Sequence, residues 1–184
     1  MKSAAGPVLA IAAALAGISP AGAQEAELSL EMQAKATFLY RFADFIYWPA
    51  DLFPNHRSPV RLCIVGEDPF GPHLDRVIEN HTAAGRTLAV HRIHEIGPGS
   101  GCHVAYLNET SAREIAHTLA AIDGEPVLTI TDAALQDETP GVIHLEAVDG
   151  QIRFHIDEAR ADRGGLEIDS RLMGVAESVR RTPS

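Results

Sequence analysis

The chain has 184 residues, 46% of them hydrophobic, with 15 basic against 25 acidic side chains and a formal charge of −10. That length and composition suit one domain with a core of ordinary size. So acidic a surface repels phosphate backbones, which argues against nucleic acid as a partner.

The first 23 residues have the layout of a secretory signal peptide: Lys2, an apolar run over 8–18, and the small-x-small sequence Ala21-Gly22-Ala23. The run is shorter than the roughly 20 residues a membrane span needs, so cleavage after Ala23 is expected, with an uncleaved anchor as the alternative. Cleavage removes Lys2 and no acid, leaving an exported domain over 24–184 with formal charge −11. The two cysteines, Cys63 and Cys102, both lie in that part. An even count in an oxidising compartment predicts one disulfide, buried free thiols being the alternative.

Residues 29–47 are predicted to form a helix stopped by Pro49. On that helix Phe38, Leu39, Phe42, Phe45 and Ile46 share an arc about 120° wide, the width of a core-facing stripe. Seven of the chain's ten aromatic residues fall within 38–53, and four of them lie off the stripe. Tyr40, Tyr47, Trp48 and Phe53 read either as an exposed partner surface or as a second packing face. Lys35 sits at the edge of the stripe, where its methylenes can cover the core while its ammonium stays wet.

The run 60–66 is almost continuously apolar and predicts a strand buried on both faces. A helix over 70–79, a strand over 87–93, a loop over 97–101 and a strand over 102–108 follow. Ser111 then caps a helix carrying Ile115, Leu119 and Ile122, and 126–132 forms a further strand. Strands alternating with helices predict parallel pairing through crossovers, hence a single-domain α/β sandwich with helices on both faces. Asp149-Gly150 predicts a tight hairpin placing Leu145 opposite Phe154, Glu146 opposite Arg153 and His144 opposite His155. That hairpin is expected to form an antiparallel edge. The tail predicts a short strand over 165–169, then a helix with Leu172, Val175, Ala176 and Val179 at i, i+3, i+4 and i+7.

Gly-Pro-Gly-Ser-Gly at 97–101 precedes a strand, whereas dinucleotide loops and serine elbows follow one. Among nine histidines only His144 and His155 are brought together, and exposed polar pairs across strands are ordinary. No metal or cofactor site is therefore expected. Asp68, Asp132 and Asp169 fall at ends of predicted strands, where an open α/β sheet places ligands and where Asp also serves as a cap. No nucleophile has an identifiable base, so an enzyme reading has only these acids behind it.

Several stretches taken in order, "KATFLYRFADFIYWP", "LCIVGEDPFG", "CHVAYL", "GEPVLTITD", the Asp149-Gly150 hairpin and "GLEIDSRLMGVA", resemble the YfiR-like family of periplasmic proteins across about 30–179. The resemblance implies an α/β sandwich, dimers, and a regulator without catalytic activity. It implies binding and repression of the periplasmic sensor domain of an inner-membrane diguanylate cyclase, so that release raises cyclic di-GMP and favours biofilm. Cys63 and Cys102 match a cysteine pair of the family, while a second pair found in some members is absent over 137–144. The late strand, where some members hold a small ligand with basic side chains, here offers Glu167, Asp169 and Arg171. The alternative is a small-ligand sensor module for a histidine kinase or an outer-membrane receptor, with Asp68, Asp132, Glu167, Asp169 and Arg171 as ligand-binding candidates.

Overall fold

The computed structural model describes residues 20–108, 111–132 and 141–181, with side chains from Leu30 onward. Residues 1–19 of the expected signal peptide lie outside the described residues, and the expected cleavage point after Ala23 falls inside the first helix, α1 (Pro20–Phe42).

The centre of the fold is β2 (Val60–Gly66), flanked in parallel by β4 (Arg86–Ile93) on one side and β5 (Val104–Asn108) on the other. Beyond β5 the sheet continues through β6 (Leu128–Thr131), β7 (Ile143–Val148), β8 (Gln151–Asp157) and β10 (Ser178–Arg180). Beyond β4 lies the two-residue β3 (Thr82–Ala83). Alternation along β2 explains its unbroken apolar sequence. Val60, Leu62 and Ile64 face α1 and α2 (Pro72–Ile78), while Cys63 and Val65 face α3 (Ala112–Ala121). Burial on both faces is what a central parallel strand requires.

On the α1 side, Leu39, Phe42 and Ile46 pack with Tyr106, Leu128, Ile130, Leu145 and Phe154. The Phe38, Phe42 and Phe154 rings meet there, with Phe42 and Phe154 edge to face at 5.1 Å. On the opposite side Ile115 and Leu119 cover Val65 and Leu107 beside the Cys63–Cys102 disulfide. Helix α3 begins as expected: Ser111 accepts the Glu114 N–H and its hydroxyl donates to the Glu114 carboxylate.

The hairpin has the expected register, His144 opposite His155 and Leu145 opposite Phe154, across a turn with positive φ at Asp149 and Gly150. It is not the edge of the sheet, however. The tail does not form the helix its i, i+3, i+4, i+7 spacing predicts: α5 (Ser170–Met173) stops at Gly174, and the chain extends as β10 alongside β8. Continuing the helix would place Gly174 in its interior, at a cost of about 1 kcal/mol, and leave the β8 edge unpaired. A short helix after the hairpin, α4 (Glu158–Arg163), carries no apolar periodicity that would predict it.

The N-terminal helix also ends earlier than expected. A single 3₁₀ turn at 43–45 redirects the chain into β1 (Ile46–Tyr47), which pairs antiparallel with β9 (Glu167–Ile168). Asp44 accepts the Ala84 N–H and Phe45 C=O accepts the Asp169 N–H, so the turn is fixed from both sides. Ile46 keeps its inward position, 2% exposed, in a strand instead of a helix.

The disulfide spans 39 residues and joins the centre of β2 to the entry of β5. Closing such a loop limits the unfolded chain and stabilises by about 2 to 4 kcal/mol. Replacing both cysteines with Ala should lower unfolding free energy by that amount in urea titrations; an unchanged midpoint and slope would exclude a structural role.

Candidate functional site

The four aromatic residues off the core stripe go to three different places. Tyr40 is 5% exposed and packs against His81, with ring centroids 4.5 Å apart. Phe53 stacks on His103 at 4.4 Å with the Arg86 guanidinium 3.9 Å from its ring centre, and Trp48 meets Phe53 edge-on. These last two rings are half-buried and close the sheet at the entry ends of β2 and β5. Of the two arrangements open from sequence, Tyr40, Trp48 and Phe53 pack against the rest of the fold, and the turn at 43–45 takes Tyr47 and Trp48 out of the helix. Tyr47 alone of the four stands out from the surface, 54% exposed.

Tyr47 stands at the rim of a groove of about 390 Å³ between the β1–β9 pair, α4 and α5, where Glu167, Asp169, Ser170 and Met173 also line the wall. The Tyr47 hydroxyl donates to Asp169 Oδ2 at 3.0 Å. Arg171 grips the same carboxylate through Nε and Nη2 at 3.0 and 2.7 Å, and its backbone N–H adds a third bond. Held first by the Arg171 side chain, then by its backbone N–H, the Asp169 carboxyl lies far below the ordinary carboxylate range. The hydrogen bond to that carboxylate, and then its charge, raises the Tyr47 phenol above its ordinary value. Arg171 also lies 5.5 Å from the Phe45 ring centre. Strand pairing sets Tyr47 beside Glu167. Residues predicted separately as partner-binding (Tyr47) and ligand-binding (Glu167, Asp169, Arg171) thus meet in one place.

Asp132 lies elsewhere, in a buried ion network. Its Oδ2 accepts from Lys35 Nζ at 2.6 Å and from the Tyr106 hydroxyl at 2.5 Å, while Lys35 also reaches Glu31 at 2.5 Å. Lys35 is 5% exposed and Tyr106 fully buried. The expectation of a wet ammonium is corrected: α1 lies flat on the sheet here, and the only way to keep that charge inside is to pair it. Burial pulls the Lys35 pKa down, and the bonds and charges of Asp132 and Glu31 more than reverse it, so the net shift is upward. Tyr106 is pushed up by burial, then by the Asp132 charge.

Asp68 is also engaged. It caps the turn before α2 through the Phe70 N–H and pairs with Arg92 at 2.6 Å, which in turn bridges to Asp75. The cleft at the carboxyl ends of the parallel strands takes none of the three predicted acids. It opens where the connections from β2 and β5 diverge, measures about 900 Å³, and is walled by Gly66, His94, Asn108, Ser111, Arg113 and His117 among others. Gly66 has φ +87°, and a Cβ there would stand 2.8 Å from the Asn108 carbonyl oxygen, so β2 and β5 close up only with glycine.

Among the described residues no helix is long and apolar enough to cross a membrane. The described residues form an α/β domain with a mostly parallel sheet and one disulfide. The YfiR/HmsC-like family model matches residues 32–177, and the chain belongs to that family. Membership supports, in general terms, a periplasmic regulator of cyclic di-GMP signalling that works with a membrane signalling protein.

Two measurements test this electrostatic picture. Lys35→Met leaves the Asp132 carboxylate buried without its cation and should cost about 3 to 5 kcal/mol in chemical denaturation, whereas Lys35→Met with Asp132→Leu should cost clearly less. Equal losses would contradict the pairing. His103 accepts the Arg61 N–H at Nδ1, and burial, then Arg61 and Arg86, lowers its pKa from 6.5 to about 4. The unfolded chain therefore binds the proton first. Stability should fall by roughly 2 to 3 kcal/mol as pH drops from 6.5 through 4, and His103→Phe should remove that slope; a slope unchanged by the substitution would exclude His103 as its source.

Proposed function

We infer that the exported chain, residues 24–184, is a stoichiometric regulator without enzymatic activity that binds and represses the periplasmic sensor domain of an inner-membrane diguanylate cyclase. The observation that carries the reading is Tyr47: a large exposed ring whose hydroxyl is fixed by Asp169, itself fixed by Arg171. Exposed aromatic residues dominate binding energy at protein interfaces, and one already ordered loses little entropy when a partner covers it. Met173 and Ile168 give the same groove apolar area. Repression then follows from affinity: the regulator holds one arrangement of the sensor domain, and a stimulus that changes the relative affinity of two states releases it.

A second reading is favoured by the cleft at the ends of β2 and β5, a position that suits a small ligand. In it the protein is a ligand-sensing module for a histidine kinase or an outer-membrane receptor. Screening periplasmic metabolites by thermal shift separates the two, because a ligand confined to the native state must raise the melting temperature.

Binding of the purified protein to detergent-solubilised diguanylate cyclase should be saturable. Tyr47→Ala should weaken it at least tenfold, about 1.4 kcal/mol, with the melting temperature nearly unchanged. A parent protein that binds no cyclase, or a Tyr47→Ala protein that binds as the parent does, would remove this reading.

A further inference from the structure

Three strand exits lie side by side at the mouth of the large cleft. β4 and β5 run parallel to β2 on either side of it, so all three end at one edge of the sheet. The chain leaves β2 toward α2 on one face and leaves β5 toward α3 on the other. A crevice at such a change of direction is where an open α/β sheet takes a ligand. Between the walls, Asn108 donates from Nδ2 to the Glu67 carbonyl at 2.8 Å, which leaves Asn108 Oδ1 as an acceptor.

The charges of the cleft divide between its two sides. Glu67 follows β2 and Glu95 follows β4, while Arg113 and His117, one helical turn apart, line the α3 wall. Glu114, the acid of that wall, is engaged by the Ser111 hydroxyl at 2.8 Å. The side chains of Glu67, Glu95, Arg113 and His117 are exposed and make no hydrogen bond or ion pair among the described residues. A wholly anionic ligand would meet two carboxylates, and a wholly cationic one would meet the guanidinium. The arrangement therefore suits a molecule with one charge of each sign at opposite ends.

Distance selects its length. β4 and β5 are two strand spacings apart, about 9.5 Å. A free amino acid carries both charges on one Cα and reaches one side only, whereas an extended tripeptide spans about 10 Å. The volume of about 900 Å³ also falls within the roughly 300 to 1,000 Å³ of small-molecule sites.

We propose that the cleft binds a short peptide with free ends, its carboxylate held by Arg113 and His117 and its ammonium by Glu67 and Glu95. A central peptide N–H donates to Asn108 Oδ1, and Ile96 of the β4 side offers apolar contact. The proposal rests on the ligand-sensing reading of this cleft and is independent of the Tyr47 face.

The test titrates isotope-labelled protein with trialanine at pH 7 and follows amide signals by NMR. Saturable shifts should appear at millimolar peptide in 66–67, 94–96 and 111–118. Acetylating the amino end or amidating the carboxyl end should each weaken binding about tenfold or more, and free alanine should bind far more weakly than trialanine. Arg113→Gln, and Glu67→Gln combined with Glu95→Gln, should each weaken trialanine by about the same factor. Absence of saturable shifts in these walls overturns the proposal, as does a blocked peptide or free alanine that binds as well as trialanine. A periplasmic metabolite that shifts these walls where trialanine does not overturns the peptide and keeps the ligand-sensing reading; walls that respond to neither remove both.

Discussion

A lysine ammonium in the interior of a small domain is tolerable only with its counter-charge in contact, and the Lys35–Asp132 pair meets that condition at 2.6 Å. The pair joins the middle of α1 to the end of β6, and Tyr106 of β5 donates to the same oxygen. Three elements distant in sequence are thereby given one relative position. With α1 placed, Phe38, Leu39 and Phe42 meet the sheet, and the helix runs out at Phe42. The 3₁₀ turn and β1 follow, and β1 presents Tyr47. A buried ion pair contributes little net stability against a well-packed apolar substitute, but breaking one side of it is costly, and it resists sliding of α1 by a turn along the sheet.

The aromatic-rich stretch is a case of one sequence feature divided among several physical tasks. Phenylalanines at helical spacing build the core; Tyr40 fills space beside His81. Trp48 and Phe53 form a stack with His103 and Arg86 where strands β2 and β5 begin. Tyr47, adjacent to Trp48 in sequence, points outward because successive residues of an extended chain alternate sides. A ring on the surface braced by Asp169 and Arg171 is suited to recognition because its position is set before contact.

Much of this was legible without coordinates. The continuous apolar run of β2, the Ser111 cap and the Asp149-Gly150 turn each reflect a local rule that tertiary contacts did not override. The hairpin register, and with it the His144–His155 pairing, came from turn chemistry alone. What was not legible depends on long-range partners. Nothing local to 46–47 announces that β9, more than a hundred residues later, will pair with it. The tail's helical spacing is genuine, yet Gly174 and an unpaired β8 edge select a strand. Periodicity shows Lys35 only as a stem covering the core, because it cannot place Asp132, 97 residues away, beside it. For the same reason the predicted acids separated: Asp68 went to Arg92, Asp132 to Lys35, and Asp169 to Tyr47 and Arg171.

The central claim is that the Tyr47 groove is the face by which this regulator engages a membrane signalling protein. Hydrogen–deuterium exchange of the protein, alone and with the solubilised cyclase, addresses it most directly. New protection should appear in 46–48 and 167–173 while the cleft walls at 94–96 and 111–118 exchange as before. Protection confined to those walls, with 46–48 unchanged, would contradict the account and place recognition at the ends of the parallel strands.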